Sequence, residues 1–287
     1  MRLVSFESDG RRIGAVIGDM ILDVTAARPL AAASVDELVR RGLVPEAQNL
    51  VDNAAEIDRR HFRPIKGTRL CPPIQNPSKV ICLGLNYRGH AVEQKKEPPD
   101  HPLLFAKAPS ALAGPLDDIV IRPGVQSVDG EAELAVVIGR EGTMIPREEA
   151  LNYVAGYMAM NDVSAREAQR ADKQWFRGKS FDTFAPCGPW LVTPNDVGDP
   201  QSLAIRQKWN DVVMQEGNTA DMIFDVAAII SFVSSAMTLC PGDIISTGTP
   251  GGVGLYRTPP VFLKDGDVVT VEIERIGFLR NKVRILK

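Results

Sequence analysis

Two glutamates separated by one residue, Glu131 and Glu133, stand at the head of an apolar run that extends to Gly139. In a β-strand, side chains at positions i and i+2 leave the same face, so the two carboxylates are expected to project together. Ionised carboxylates on a partly buried face need a cation or several donors to neutralise them. With a third carboxylate they would form an oxygen-rich site suited to Mg²⁺, Mn²⁺ or Ca²⁺. The alternative is a solvated strand edge, because exposed glutamates are common.

The segment 156–169 predicts a strand that runs into a helix, with Asp162 at the junction. An aspartate in this position either caps the helix or faces a cavity at the end of the strand. If the helix begins at Asp162, Arg166 and Gln169 lie four and seven residues further along the same face. A cation and an amide beside a carboxylate are suited to binding an acidic substrate.

His90 and Glu93 are three residues apart, so one helical turn would place an imidazole beside an orienting carboxylate. Such a pair is the minimum needed to activate a water molecule, whereas an isolated surface histidine is the alternative. The residues that follow, 94–100, are charged and proline-bearing, which is typical of a mobile loop or lid.

Two glycine-containing segments carry further candidates. Lys179 follows a glycine in the aromatic-flanked segment 175–186, where apolar neighbours would desolvate a lysine that is otherwise a typical surface residue. The glycine-rich segment 246–254 is not a dinucleotide motif, because its spacing differs from G-x-G-x-x-G and no helical pattern follows it. Thr247 or Thr249 would instead offer a hydroxyl group and backbone amides to a substrate carboxylate.

Composition restricts the class of function. The chain has 287 residues, 44% of them hydrophobic, and a net charge of −3, so it has no basic footprint for nucleic acid or for an anionic membrane surface. Apolar runs are too short to cross a bilayer, and the N-terminus lacks the pattern of a secretory signal. A soluble, cytoplasmic enzyme is therefore expected.

Cysteine and histidine usage narrows the metal chemistry. The four cysteines are far apart and form no CxxC pair, which predicts free thiols and argues against a zinc cluster or a disulfide framework. Only three histidines are present, so a multi-histidine metal centre is nearly excluded. Any metal must be held by carboxylates.

Hydrophobic periodicity and turn residues predict an α+β, β-rich fold. A proline-rich stretch at 71–77 predicts a boundary between a small N-terminal α+β domain (1–75) and a main domain (78–287) that is a curled or barrel-like mixed sheet. In the first part, strands are expected at 3–6 and 13–18, and helices at 34–41, with Ser34 as N-cap, and at 45–57. In the second, strands are expected at 80–84, 131–139, 157–160, 190–193, 243–247 and 268–274, and a helix at 221–237.

Five motifs, in matching order along residues 79–287, resemble the fumarylacetoacetate hydrolase family. They are GLNYRGH, VDGEAELAVVIG, GYMAMNDVSARE, RGKSFDTFAPCGPWLVT and STGTPGGVG. Five motifs in order are far more specific than any one of them, and they favour a functional role for the glutamate pair over a surface role. The resemblance implies the family's curled β-roll main domain and a homodimer. The first 75 residues match only loosely and are assigned no chemistry.

The resemblance also implies three groups of site residues. The implied ligands of Mg²⁺ or Mn²⁺ are Glu131, Glu133 and Asp162. The implied substrate contacts are Arg166, Gln169, Lys179 and Thr249, with Thr247 as a close rival of Thr249. The implied catalytic dyad, ordered when a lid closes over substrate, is His90 and Glu93.

The activity implied is hydrolysis of a carbon–carbon bond in an acylpyruvate, a 2,4-dioxo acid. His90, backed by Glu93, would take a proton from water, and the hydroxide would add to the 4-carbonyl. Cleavage would expel a pyruvate enolate whose charge is spread over the metal and Lys179. Oxaloacetate decarboxylation and keto–enol isomerisation would pass through the same enolate, and the sequence does not separate these reactions. Alternatives from other classes are a non-catalytic oxo-acid binder and a calcium-stabilised structural domain, although a binder would need neither the dyad nor Lys179.

Overall fold

Strands form most of the regular structure in the computed structural model of the chain, which describes residues 1–28, 30 and 32–287. The strands are β1 (Arg2–Glu7), β2 (Arg11–Ile17), β3 (Met20–Asp23), β4 (Phe62–Pro64), β5 (Leu70–Cys71), β6 (Val80–Gly84), β7 (Leu103–Lys107), β8 (Leu112–Ala113), β9 (Ile119–Ile121), β10 (Val128–Asp129), β11 (Ala132–Ile138), β12 (Val154–Asn161), β13 (Ser164–Ala165), β14 (Ala185–Val192), β15 (Ala204–Trp209), β16 (Val212–Asn218), β17 (Ile244–Ser246), β18 (Val268–Ile273) and β19 (Gly277–Ile285).

Helices are short and lie mainly between strands. The α-helices are α1 (Val24–Ala27), α2 (Val35–Arg40), α3 (Val44–Asp52), α4 (Arg88–Glu93), α5 (Arg166–Ala171), α6 (Phe176–Lys179), α7 (Pro194–Val197) and α8 (Val226–Ala236). The 3₁₀ turns are Ala54–Glu56, Arg59–His61, Pro109–Ala111, Arg147–Tyr153, Thr219–Asp221 and Gly254–Tyr256. Among the described residues, no helix is long and apolar enough to cross a membrane.

One large mixed sheet organises the chain. Its strands follow the order β4-β3-β2-β1-β14-β12-β11-β17-β6-β7, with β5 beside β1 and β8 beside β14. Within the described residues the edge strands β4 and β7 do not pair with each other, so the sheet curls without closing into a barrel. A smaller sheet has the order β16-β15-β18-β19-β9. The predicted β-rich α+β class and curled mixed sheet are confirmed.

Strand β11 shows why the large sheet is buried on both faces. All seven of its residues are buried, as expected of a nearly continuous apolar strand that is covered on both sides. Leu134 and Val136 join the core that contains α8 and residues of the smaller sheet. Ala135 and Val137 point the other way, into a core that includes Val35 of α2.

The N-terminal segment extends the same sheet. Strand β1 pairs antiparallel with β14, with Arg2 opposite Val192. The amino group of Met1 donates a hydrogen bond to Thr193 Oγ1 at 2.7 Å. Residues 1–75 are therefore joined to the main sheet by backbone pairing, and a division of the chain at 75–78 stays a prediction.

Some helices begin or end at residues other than those predicted from the sequence. The Ser34 N-cap is present, since its side chain accepts a hydrogen bond from Glu37 N. The helix predicted at 45–57 ends at Asp52 and gives way to a 3₁₀ turn. The helix predicted from residue 221 begins only at Val226, because the Asp225 side chain accepts from Ala228 N and caps it there.

Candidate active site

Four strand ends meet at one edge of the large sheet. The amino end of β11 lies between the carboxyl ends of β12 and β17, with Ala132 opposite Asn161 and Ala135 opposite Ser246, and β6 runs parallel to β17. A cavity of about 300 Å³ opens beside this edge. The predicted site residues that line it are His90, Glu131, Glu133, Arg166, Gln169, Lys179 and Thr249. The remaining two, Glu93 and Asp162, hydrogen-bond to His90 and Lys179 respectively.

The three predicted metal ligands converge. Oxygen atoms of Glu131, Glu133 and Asp162 lie within 4.8 Å of one another, and all three residues are buried. Burial raises the pKa of Glu133 well above its ordinary value, and the charges of Asp162 and Glu131 raise it further. An all-oxygen set with excess negative charge suits a hard divalent cation such as Mg²⁺ or Mn²⁺, so the residues present fit the metal expected for this site.

Main-chain contacts fix two of these carboxylates relative to each other. Glu131 precedes β11 and is not part of it; its amide donates to Asn161 Oδ1 at 3.0 Å, and its carbonyl accepts from Asp162 N at 2.9 Å. The third carboxylate belongs to the strand, and Glu133 Oε2 accepts from Ser246 Oγ at 2.5 Å and from Gly248 N at 2.9 Å. The two glutamates share the site, although only one of them lies within a strand.

Asp162 caps no helix, and its buried carboxylate lies beside Lys179, which lines the cavity. Strand β13 follows it, and Ala165 is the residue that precedes α5. Of the two alternatives for Asp162, the helix cap is therefore not observed, and the helix begins at Arg166. The Asp162 side chain instead accepts hydrogen bonds from two buried lysines, Lys107 at 2.6 Å and Lys179 at 2.5 Å.

Lys179 links two of the candidate metal ligands. Its Nζ donates to Glu131 Oε2 at 2.6 Å and to Asp162 Oδ2 at 2.5 Å, and it lies 4.9 Å from the centre of the Phe105 ring. Burial alone would lower the pKa of Lys179, but Asp162 and Glu131 raise it above its ordinary value. The lysine is therefore charged, at the end of α6 and not in a solvated loop.

A glycine allows Lys179 to approach helix α5. A Cβ atom at Gly178 would lie 2.7 Å from the backbone nitrogen of Gln169, which is shorter than any tolerable contact. The absence of a side chain lets α6 pack directly on α5. This packing brings Lys179 to the same carboxylate that Arg166 binds.

Arg166 connects the metal ligands to a further buried carboxylate, Asp129. Its guanidinium donates to Asp129 Oδ2 from Nε at 3.1 Å and from NH2 at 2.7 Å, to Glu131 Oε1 at 2.6 Å, and to Gln169 Oε1 at 3.2 Å. Burial would raise the pKa of Glu131, but Arg166 and Lys179 lower it below its ordinary value. Glu131 is therefore held as a carboxylate by two cations.

The predicted His90–Glu93 dyad is assembled on α4. Glu93 Oε1 accepts a hydrogen bond from His90 Nδ1 at 2.5 Å, and the Gln94 side-chain amide donates to His90 Nε2 at 2.7 Å. These partners place the proton of a neutral imidazole on Nδ1 and leave the lone pair on Nε2. The ring of Tyr256 meets the imidazole edge-on at 6.0 Å.

The glycine-rich loop uses its amides on the protein's own carboxylates. Gly248 N donates to Glu133, Gly252 N to Glu93 and Gly254 N to Asp129, at 2.9, 2.7 and 2.9 Å. Gly252 has a φ of +103°, and a Cβ there would lie 2.3 Å from a carbonyl oxygen, so glycine is required. The loop therefore positions the dyad and the triad together, whereas the sequence predicted that it would bind a substrate carboxylate.

The two threonines of this loop differ in their position relative to the cavity. Thr249 lines it, and its hydroxyl donates to Ala132 O at 2.8 Å and accepts from Gln215 Nε2 at 2.7 Å. The Thr247 hydroxyl donates to Leu134 O at 2.8 Å, and Thr247 is not among the lining residues. Thr249 is thus the better placed of the two rivals.

Four residues that contact the predicted site residues were not predicted from the sequence. They are Gln94, Lys107, Asp129 and Ser246. Asp129 stands two residues before Glu131 in the same motif, which was a usable signal. Lys107 ends an ordinary apolar strand, and its sequence context does not distinguish it from a surface lysine.

Comparison with known proteins agrees with this geometry. Residues 79–284 match the sequence model described as "Fumarylacetoacetate (FAA) hydrolase C-terminal". The chain belongs to the fumarylacetoacetate hydrolase family, a family of enzymes that act on small molecules. Among its relatives is the protein named oxaloacetate tautomerase FAHD2A, mitochondrial, of Bos taurus, which is 43% identical over 99% of this chain and 91% of its own length.

Solved structures share the whole fold. A fumarylacetoacetate hydrolase from Exiguobacterium antarcticum is 39% identical, with a TM-score of 0.87 and full coverage of both chains. The maleylpyruvate hydrolase from Sphingobium sp. SYK-6, solved in complex with manganese(II) and pyruvate, is 32% identical, with a TM-score of 0.81 and full coverage of both chains. A divalent metal in a relative of this fold is consistent with the buried acidic triad found here.

Proposed function

We propose that this protein is a divalent-metal-dependent enzyme that acts on 2-oxo acids through an enolate, and that it interconverts the keto and enol forms of oxaloacetate. The observation that carries the proposal is that the acidic triad and the His90–Glu93 dyad serve one cavity. The name of the bovine relative supports the choice of reaction and substrate. Homodimer formation and a cytoplasmic location stay predictions, and the bovine relative is named as mitochondrial.

The metal is proposed to be Mg²⁺ or Mn²⁺ held by Glu131, Glu133 and Asp162, where it would supply a Lewis acid for the oxygen atoms of the oxo acid. The chain itself supplies the fixed positive charge around that position. Lys179 and Arg166 carry permanent donors in a buried environment, where they stabilise developing negative charge without reorganisation. Gln169 adds a neutral amide donor along the cavity wall, and Thr249, whose hydroxyl hydrogen is already donated to Ala132 O, adds an oxygen that accepts hydrogen bonds.

The dyad is proposed to move the proton. His90 Nε2 accepts a proton from the carbon next to the keto group, and Glu93 stabilises the imidazolium through Nδ1–H. Returning that proton to the enolate oxygen gives the enol, so that atoms and charges balance within one turnover. Because Gln94 donates to Nε2 in this structure, its amide must move aside before the substrate proton is transferred.

Purified protein loaded with Mg²⁺ and mixed with oxaloacetate in D₂O provides the test. NMR should show accelerated exchange at the carbon between the two carbonyl-bearing carbons, and ultraviolet absorbance should show faster decay of the enol. Pyruvate release would be followed in the same sample to detect decarboxylation. Exchange no faster than that in buffer containing Mg²⁺ alone would reject the proposed reaction.

Hydrolysis of acylpyruvates is the second candidate, because the assembled dyad is equally suited to take a proton from water. The maleylpyruvate hydrolase relative adds to this case. Incubation with acetylpyruvate separates the two candidates. Rapid cleavage of acetylpyruvate without accelerated oxaloacetate exchange would favour the hydrolase, and the reverse result would favour the tautomerase.

A further inference from the structure

Three exposed cations, Lys96, Arg170 and Lys173, line the cavity that holds the candidate active site. We propose that this group, the outer rim, binds the remote carboxylate of a 2-oxo dicarboxylic acid. The inference rests on the proposed function, because the oxo-acid head must occupy the metal centre before the other end of the molecule can reach the outer rim. It adds a specificity site to a reaction that the buried residues perform.

The outer rim has unbalanced positive charge. The buried cations Arg166 and Lys179 are each hydrogen-bonded to carboxylates. In contrast, no hydrogen bond or ion pair to the side chains of Lys96, Arg170 or Lys173 occurs within the described residues. Like charges gathered at one opening repel each other, so an anion bound there would be stabilised.

The carboxylate of Asp172 does not neutralise the outer rim. Asp172 precedes Lys173, but both of its oxygens accept hydrogen bonds from Arg177, at 2.5 Å each. Arg170 lies four residues after Arg166 and therefore on the same face of α5. Lys96 follows α4, so cations from two separate segments contribute to the opening.

The backbone conformation of Lys173 allows a matched pair of variants for testing the outer rim. Lys173 follows helix α5 with a φ of +61°, a left-handed conformation in which glycine is favoured after a helix. A lysine in this conformation is strained relative to a glycine. Lys95 has the same feature after α4, with a φ of +54°, but it does not line the cavity. Lys95 is therefore a matched control for Lys173.

Part of the wall of the cavity that the metal centre and the outer rim share is apolar. Leu83, Phe105 and Trp175 line it, and the rings of Phe105 and Trp175 meet edge-on at 5.2 Å. Trp175 sits against Gly84, where a Cβ would lie 2.6 Å from the indole ring. A ligand that matches the metal centre, the apolar part of the wall and the outer rim has an oxo-acid head, a short methylene spacer and a terminal carboxylate.

Calorimetric titration of the Mg²⁺-loaded protein tests the proposal without relying on turnover. The ligands are 2-oxoadipate and its chain-matched monoacid, 2-oxohexanoate, at constant ionic strength. We expect the diacid to bind roughly tenfold more tightly, as hydrogen bonds to a charged group allow. This ratio should fall towards one in the triple variant Lys96→Gln, Arg170→Gln, Lys173→Gln.

Two glycine variants provide the matched control. Lys173→Gly should reduce the preference for the diacid while leaving the melting temperature unchanged or higher, because the strain is relieved. Lys95→Gly should relieve the same strain without changing the preference. If the preference survives in the triple variant, or if the native protein binds both acids equally, the outer rim is not a carboxylate site. If neither acid binds and oxaloacetate exchange is not accelerated, the proposed function itself fails, and the inference with it.

Discussion

The inner centre and the outer rim of the cavity differ in whether their cations are paired with carboxylates. The inner centre, formed by Glu131, Glu133, Asp162, Lys107, Arg166 and Lys179, is buried, and its cations are paired with carboxylates at 2.5–3.1 Å. The outer rim is exposed, and its three cations have no described partner. Fixed, paired charges are suited to stabilising a reaction intermediate, since they need no reorganisation. Unpaired, solvated cations are suited to selecting among ligands, because a bound anion is the partner that they lack.

This difference separates chemistry from specificity. Binding energy at the outer rim acts on substrate and transition state alike, so it should change affinity more than turnover. Changes in the inner centre should affect turnover, stability or metal binding.

Loss of a candidate metal ligand should have the largest effect. We expect Glu133→Gln to lower kcat for oxaloacetate by about 10³-fold or more, because charge stabilisation at the reacting atoms is lost. Calorimetry should show Mg²⁺ affinity lost in parallel. Glu141→Gln, at an exposed glutamate outside the cavity lining, is the matched control. Full activity of Glu133→Gln would mean that the triad is not the metal centre.

Lys107 should be needed for stability as well as for geometry. Its ammonium group is completely buried and 2.6 Å from Asp162 Oδ1. Removing Lys107 leaves the buried Asp162 carboxylate with only one of its two cations, Lys179, so Lys107→Met should lower the free energy of unfolding by roughly 3 kcal/mol. The corresponding change at a partly exposed pair, Lys208→Met beside Glu272, should cost less than about 1 kcal/mol. Equal losses in the two variants, measured by chemical denaturation, would contradict a special role for the buried pair.

Lys107 also shows what limits prediction from sequence. The His90–Glu93 pair was predictable because side chains three residues apart meet on one face of a helix. The Glu131–Glu133 pair was predicted from the periodicity of a strand, and the two glutamates share the site although only Glu133 lies within β11. Lys107 reaches Asp162 across 55 positions of the chain, and only the folded sheet creates that contact. Tertiary contacts of this kind leave no local pattern.

The strands of the fold were also predictable only in part. The apolar strand β6 was predicted with the observed bounds, Val80–Gly84, because burial on both faces gives a continuous signal. Strands β15 and β19 were not predicted. In each of them a buried position carries a polar residue, Gln207 in β15 and Asn281 in β19, and this interrupts the alternation of apolar and polar residues that predicts a strand.

Substitution of His90 should lower kcat more than substitution of Glu93. His90→Asn removes the proposed base and should lower kcat by about 10²-fold, within the range for general base catalysis. Glu93→Gln keeps a hydrogen-bonding group beside Nδ1 and should cost about tenfold, since it acts through the imidazole. Both variants should retain Mg²⁺ affinity, because neither residue belongs to the triad. A loss of Mg²⁺ binding in either variant would show that the dyad and the metal centre are not separate units.

Metal affinity should increase with pH through Glu133. Burial, together with Asp162 and Glu131, raises the pKa of Glu133, so this carboxyl group holds a proton in the metal-free protein above the ordinary carboxyl range. Because the metal must displace that proton, Mg²⁺ affinity should rise by about tenfold per pH unit until the proton is lost. The lowered pKa of Glu131 adds no slope there, because this group stays ionised until the pH falls below the ordinary carboxyl range.

The same linkage fixes the sign of the stability change. A carboxyl group whose pKa is raised by folding makes the metal-free protein less stable as pH rises from the ordinary carboxyl value through the raised one. Bound Mg²⁺ should reverse this loss, so its stabilising effect on the melting temperature should be larger at about pH 7.5 than at about pH 5.5. Glu133→Gln should abolish the pH dependence, whereas neutralising the outer rim should preserve it. A slope that disappears in the outer-rim variant and persists in Glu133→Gln would show that the two ends of the cavity do not divide their roles in this way.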